Sequence, residues 1–502
     1  MDFTFRASSW FDKAARNEGF GALRRLRDGT VPSWPLIVAI AALARALAQP
    51  AALLNDPDTY LHIAAGRWML AHLALPSQDP FSYSFAGANW VPHEWLAEGV
   101  LAVVYDTTGW SGVVWLAAAC FAASMALLTR FLLRCFEPFS ALIAVILGVA
   151  LSLGHLLARP HILALPLLVL WSGELFAARD TGSAPPLRLL WVMVLWANLH
   201  GSFMFGLALL LFLGAEAVFS SECHRREARR WGCFGLLAVA ASLATPNSWA
   251  GFVEPLRLTT MPALQASFGE WLSPDFQRFQ PVEIWLLGMM ALGLTTGIKL
   301  PLSRVLLLIG LSHMALAHIR HAELLGLVGP LAVAASLGPQ IAARIGPQLS
   351  SLSRGFIRLA RPARAPAQVL AAVIAVSMSL PIILRPVERT EDGVTPAAAL
   401  SAARAMGLKG PVFNSEGFGG YLIFSGVPTF IDGRAELYGN DFLGRYLAAE
   451  AGEGETLAAL LHEYGAEWTL LAPQQGAVHC LDSLPGWRRI YSDRRAVIHI
   501  RG

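Results

Sequence analysis

Asn55-Asp56-Pro57-Asp58-Thr59-Tyr60-Leu61-His62 follows directly on the first apolar run of the chain, 33–53. A run of that length matches the ~20 residues a helix needs to cross a bilayer core. Two carboxylates therefore stand two residues apart at a span exit. Ionisable groups at membrane depth cost about 2.5–3.5 kcal/mol each on insertion scales, so such residues are usually functional or paired. A pair at this spacing suits two tasks. One member can act as a general base on an acceptor hydroxyl or amine. Alternatively, Asp56 and Asp58 can hold a divalent cation, magnesium or manganese, that neutralises a phosphate leaving group.

The rest of the chain agrees with a membrane setting. Of 502 residues, 55% are hydrophobic and 15% charged, against about 25% charged in soluble domains. A net charge of +3 gives a nucleic-acid partner no electrostatic support. Five cysteines lack metal spacing and indicate no disulfide framework. The first 34 residues are polar and amphipathic, with six Lys and Arg, and the run after them has no cleavage pattern. They read as a cytoplasmic N-terminus.

Eleven spans are expected, near 33–53, 111–133, 138–156, 160–178, 187–200, 203–220, 231–247, 281–297, 303–319, 322–342 and 366–386. The stretch from Trp95 to Tyr105 is short for a span and reads as interfacial or half-buried; the count thus runs from eleven to thirteen. With the N-terminus inside, the inner segments hold 21 Lys plus Arg and the outer ones, the C-terminal tail excluded, 5. The positive-inside rule favours that orientation in a bacterial inner membrane. The fold class is a polytopic α-helical membrane protein, 35–386, with a first outer loop over 54–110. The tail, 387–502, reads as a small periplasmic α/β domain. Strands are expected at Pro411–Asn414, Thr429–Asp432, Trp468–Ala472 and Ala496–Ile500, with helices near 396–407, 436–450 and 455–464.

Under this topology the unusual polar clusters gather on one side. His93-Glu94-Trp95 closes the first outer loop, Arg159-Pro160-His161 marks the next outer turn, and Asn198-Leu199-His200-Gly201 the one after. Glu270 lies in a long outer loop, and His318-Ile319-Arg320-His321 makes the last outer turn. Arginine offers a planar fork of donors to phosphate oxygens. Carboxylates facing arginines and histidines at a water–lipid boundary suit a lipid phosphate, whose tail stays in the bilayer while its head reacts outside. Bland readings stand beside these: His161, His200 and His321 suit helix ends, Asn198 a cap, Asp79-Pro80 a turn, and Arg45 snorkelling.

These residues resemble a family. A first span, an outer loop opened by an aspartate motif, many further spans and an external tail resemble the GT-C glycosyltransferases, which use polyprenyl-phosphate-linked sugars. Asp58-Thr59-Tyr60-Leu61-His62 is similar to the Asp-Pro-Tyr-Tyr-His type of motif in oligosaccharyltransferase catalytic subunits. Asp56-Pro57-Asp58, His93-Glu94-Trp95, Arg159-Pro160-His161 and Trp196 to Gly201 resemble a group of bacterial membrane proteins placed with these enzymes. That group carries tail motifs standing here as Gly419-Gly420-Tyr421-Leu422 and Asp432-Gly433-Arg434. In the tail these also read structurally, as a tight turn and an internal ion pair. No Trp-Trp-Asp peptide-recognition motif stands in the tail, which leaves protein N-glycosylation unsupported.

The resemblance implies an inverting glycosyltransferase that moves a sugar from a polyprenyl-phosphate donor to a glycan, lipid or protein acceptor of the envelope. Asp58, or Asp56, would take the acceptor proton. Arg159, Arg320 and His321 would hold phosphate. His93, Glu94, His161, Asn198, His200 and Glu270 complete the candidate substrate-binding set. The alternatives are a lipid-linked-sugar transporter or flippase, and a polysaccharide polymerase or ligase. A transporter needs polar groups near mid-membrane, whereas here they crowd the outer ends of the spans.

Overall fold

The computed structural model describes residues 31–262, 269–345 and 352–502. Most of the N-terminal segment 1–34 thus lies outside the described residues. All eleven expected runs fall on helices: α1 Trp34–Leu47, α3 Trp95–Leu132, α4 Pro138–Ser152, α5 Pro160–Asp180, α6 Leu189–Leu199, α7 Phe203–Phe219, α8 His224–Ser242, α10 Pro281–Thr296, α11 Leu302–Ala317, α12 Ala322–Ile345 and α13 Ala365–Leu384. Between them lie α2 Asp58–His72 and α9 Ser248–Leu258. Among the described residues, five helices are long and apolar enough to cross a membrane by length and composition: α3, α5, α13, α4 extended to His155, and Ile319–Arg344, which contains most of α12. Shorter apolar helices are α1, α6, α7, α10 and α11.

One local reading is corrected. The first run is not one helix. It stops at Leu47, and Pro50, which cannot continue a helix, opens a separate short turn. Arg45 sits in the last turn of α1 and donates to Gln49 Oε1 at 3.0 Å on the surface, the snorkelling arrangement. Trp95 to Tyr105 is the first part of α3, which breaks at Gly109, φ 63° and ψ −157°, a backbone state open chiefly to glycine.

The tail forms α14 Ala397–Ala405, β1 Val412–Asn414, α15 Glu416–Phe424, α16 Ala435–Ala451, α17 Gly454–Glu463, β2 Trp468–Leu470, α18 Gly476–Ser483, β3 Trp487–Ser492 and β4 Val497–Arg501. The sheet order is β1-β2-β4-β3, with β1 parallel to β2 and the other pairs antiparallel. Three expected strands and three expected helices are present; α15, α18 and β3 were not expected. The expected strand at Thr429–Asp432 is absent. Asn414 captures that backbone instead: Phe430 N donates to its Oδ1 at 2.8 Å, and its Nδ2 donates to Ile431 O at 2.8 Å. The Asn414 side chain thus satisfies Phe430 N and Ile431 O, and Thr429 bonds instead to the Phe81 and Tyr83 backbone.

The tail and the loop between α2 and α3 share one core. Trp90 and Phe85 of the loop pack with Phe430, Tyr438 and Phe442 of the tail. Backbone bonds join Tyr83 to Thr429 at 3.0 Å and Thr429 to Phe81 at 3.2 Å. Beneath this lies the larger core of the helical bundle, from α1 through α13.

Candidate functional site

Local sequence aims each charged group. Asp58 is the first residue of α2, where a carboxylate favours the helix dipole. Its backbone N–H donates to Asp56 Oδ1 at 2.8 Å, which fixes the turn around Pro57. Arg159 precedes Pro160, so it is extended, φ −119° and ψ 168°, and Pro160 opens α5. Glu270 and Arg320 sit in two short 3-10 turns, Gly269–Trp271 and Ile319–His321. These turns are stapled together: Ile319 N donates to Leu272 O at 2.9 Å, and the Arg320 guanidinium lies 4.7 Å from the Trp271 ring centre.

The five groups meet. Arg159 Nη1 donates to Asp56 Oδ2 at 3.2 Å and to Glu270 Oε2 at 3.0 Å, and Nη2 donates to Asp58 Oδ2 at 2.6 Å. Arg320 Nη1 donates to Glu270 Oε1 at 2.8 Å. Burial pushes the Asp56 carboxyl up to about 6, against the pull of Arg159. Burial also works against ionisation of Glu270, but Arg159 and Arg320 hold it below the usual range. The Arg159 guanidinium, despite burial, is held well above its ordinary value by Asp56, Asp58 and Glu270.

A cavity of about 790 Å³ opens beside this cluster. Its polar end carries Asp58, Arg159, Glu270 and Arg320, and eight of the thirteen histidines line it. Its other end is apolar, running past Leu165, Leu168, Leu209, Phe212, Leu307 and Leu324. A second cavity, about 450 Å³, shares Asp58, Arg159, Glu270 and Arg320 and adds Asp56, Gln280 and Glu416. The charged cluster is the partition between the two.

Glu94 is a hub in the larger cavity. His200 Nε2 lies 3.4 Å from Oε1, His93 Nε2 3.8 Å from Oε1, and His62 Nε2 3.8 Å from Oε2. His62 is anchored on its other side by Glu98 at 3.2 Å. Burial disfavours its charged form, but Glu98 and Glu94 overcome this and raise it. His200, hydrogen-bonded to Ser202 at 2.7 Å, is driven well below its ordinary value by burial and its cationic neighbours.

Of the expected site residues, Asp58, His93, Glu94, Arg159, His161, His200, Glu270, Arg320 and His321 line the larger cavity, and Asp56 the smaller. Asn198 is not among the cavity-lining residues. It accepts from Trp95 Nε1 at 2.8 Å and donates to Val194 O at 2.8 Å and Ala244 O at 3.0 Å, which is structural bracing. Asp56 and Asp58, the pair expected to hold a divalent cation, both contact Arg159. Such an ion requires oxygens at about 2.0–2.6 Å from one point, and the Arg159 guanidinium fills the space between these carboxylates. Among the described residues no group of three or more His, Cys, Asp or Glu suits a metal ion.

The tail closes on the aspartate motif. A β-carbon on Gly433 would overlap Asp58 Oδ1, and one on Gly420 would overlap the Pro57 carbonyl. Both tail motifs therefore sit where backbone must approach Pro57 and Asp58. Asp432 and Arg434 do form the expected pair, at 2.7 Å, and Arg434 reaches Asp79 at 2.6 Å. Sequence reading missed three contributors. His62 stands four residues after Asp58 on one face of α2, a spacing that was legible. Arg389, five residues past the end of α13, donates to Asp56 O at 2.6 Å and lies 3.9 Å from the Tyr60 ring centre; nothing local marks it. Glu416 fronts the smaller cavity, where burial and neighbouring carboxylates hold it well above the usual range.

No family model matches the chain, and no curated protein matches its sequence. Solved structures do. The oligosaccharyltransferase AglB of Archaeoglobus fulgidus, in complex with an inhibitory peptide and a dolichol-phosphate, aligns with TM-score 0.54 and 10% identity, over 88% of this chain and 69% of that one. The apo oligosaccharyltransferase of the same organism aligns with TM-score 0.50 and 10% identity, over 87% and 69%. ArnT of Cupriavidus metallidurans, bound to undecaprenyl phosphate, aligns with TM-score 0.47 and 13% identity, over 93% and 97%. From the archaeal alignments, the chain has the GT-C fold that its sequence resembles.

Proposed function

We propose that the protein is a membrane glycosyltransferase that moves a sugar from a polyprenyl-phosphate donor to an envelope acceptor on the periplasmic face of a bacterial inner membrane. One observation carries this: a single cavity joins an apolar groove between α5, α7, α11 and α12 to a cluster of two arginines and acidic groups. A lipid chain fits the groove, and its phosphate fits the arginine end. The excess of Lys and Arg in the alternate loops supports the orientation.

In this reading the donor occupies the larger cavity and the acceptor enters from the smaller. Asp58, common to both, takes the acceptor hydroxyl proton as that oxygen attacks the anomeric carbon. The bond from carbon to phosphate oxygen breaks, the electron pair leaves with the phosphate, and attack from the opposite face inverts the centre. A guanidinium has five N–H donors. Arg320 spends one of them on Glu270, so it is the main phosphate ligand. Each well-placed donor to the departing charge contributes about 3–4 kcal/mol. His93 and His200 hold the donor sugar beside Glu94.

The test is purified protein in lipid nanodiscs with polyprenyl-phosphate sugars, following loss of sugar from the lipid. Asp58→Asn is expected to slow transfer by about 10²–10⁴-fold. Equal turnover in the two proteins would refute the assigned base. Transbilayer movement of intact lipid without sugar loss would favour the transporter.

A further inference from the structure

Three carboxylates from two distant parts of the chain converge on one side chain. Asp56 and Asp58 come from around the start of α2, and Glu270 from a turn more than two hundred residues later. Three acids gathered this way would repel one another strongly without a cation among them. Here that cation is covalently part of the chain. Arg159 contacts Asp56 at 3.2 Å, Asp58 at 2.6 Å and Glu270 at 3.0 Å through its two terminal nitrogens.

Its placement is built in. Pro160 holds Arg159 extended at the head of α5. The Asp58 N–H to Asp56 bond and the Arg389 bond to the Asp56 carbonyl fix the two aspartates. The Glu270 turn is stapled to the turn of Arg320, whose guanidinium shares the Glu270 carboxylate. A guanidinium cannot be displaced by deprotonation.

We propose that Arg159 is the resident cation of this site: it supplies the charge neutralisation that a carboxylate-held divalent metal would supply, so transfer needs no metal ion. The argument deepens the glycosyl-transfer reading and rests on it for activity. The bookkeeping is unchanged by the substitution. The acceptor proton goes to Asp58, and the phosphate leaves with its electron pair. The departing charge meets the N–H donors that Arg159 and Arg320 do not spend on carboxylates. Of the five on Arg159, three are spent on Asp56, Asp58 and Glu270.

The test begins with the unmodified protein and manganese alone. Full-length protein in detergent is titrated with Mn²⁺, and free ion is counted by electron paramagnetic resonance. No Mn²⁺ site that depends on Asp58 is expected; a site present in the wild type and lost in D58N would overturn the proposal. R159A is expected to acquire a Mn²⁺ site, and to lose it again in the R159A/D58N double variant. Folded R159A that gains none would also overturn it. If R159A does not fold, the wild-type titration decides. In the activity arm, EDTA is expected to change sugar transfer by less than about twofold, whereas a metal-assisted step would collapse. Loss of transfer with EDTA and its return with Mn²⁺ or Mg²⁺ would refute the proposal. A wild type that transfers no sugar under any condition would sink the glycosyl-transfer reading, while the Mn²⁺ titration would still decide the role of Arg159.

Discussion

At one end of the bundle, Arg304 at the start of α11 pairs with Asp180 at 2.7 Å and Glu216 at 3.1 Å, at the ends of α5 and α7. At the other end, Arg159 at the head of α5 pairs with Asp56, Asp58 and Glu270. The chemistry is similar but the surroundings differ. The Arg304 side chain is 3% exposed, and its guanidinium lies 4.9 Å from the Phe176 ring centre. The Arg159 side chain is 21% exposed and lines both cavities. The first network locks helices together. The second keeps spare donors beside open space, and only such an arrangement can meet a substrate. Buried ion pairs are therefore poor markers of function until the cavity beside them is known.

That contrast can be broken experimentally. Arg304→Ala leaves Asp180 without its cation and should destabilise the protein by about 3–5 kcal/mol, read as a lower denaturation midpoint. Transfer per folded molecule should be unchanged. A selective loss of turnover would make the two ends alike and defeat the contrast.

Gly433→Ala sharpens the other side. Its methyl would push into Asp58 Oδ1, and displacement of a reacting group by about 1 Å can cost ~10²-fold in rate. The expected result is a large fall in kcat with little change in melting temperature. Unaltered kcat would show that the tail does not position Asp58.

The smallest effect concerns pH. Burial holds the Asp56 carboxyl at about 6, above the ordinary 3.8. As pH falls from 7 through 6, the folded protein takes up this proton and Arg159 loses one opposing charge. Polyprenyl phosphate should then bind more tightly, by up to about tenfold per pH unit. Asp56→Asn should remove that dependence on the ligand titration curve. An identical slope in the variant would assign the effect to the histidines instead.

Much of the membrane part was legible. The apolar runs mark the helices because a bilayer demands long hydrophobic segments with internally satisfied backbone. The aspartate pair and Arg159-Pro160 were legible because each is a local pattern at a helix end. The tail was harder. Glu416-Gly417-Phe418-Gly419-Gly420 reads as a turn, yet it forms α15 because packing against Pro57 requires a helix without side chains there. Thr429–Asp432 reads as a strand, yet the Asn414 side chain satisfies Phe430 N and Ile431 O.

Sequence alone determined the helical membrane architecture and which residue types stand at the span ends, since both follow from neighbours along the chain. Tertiary structure alone decided that Asp58 meets Arg159 across 101 positions and that Arg159 meets Glu270 across 111. It also decided that Asn198 braces a helix while Gly433 abuts Asp58. Such meetings depend on how the helices pack and where loops are stapled, and no local pattern encodes a distance between elements.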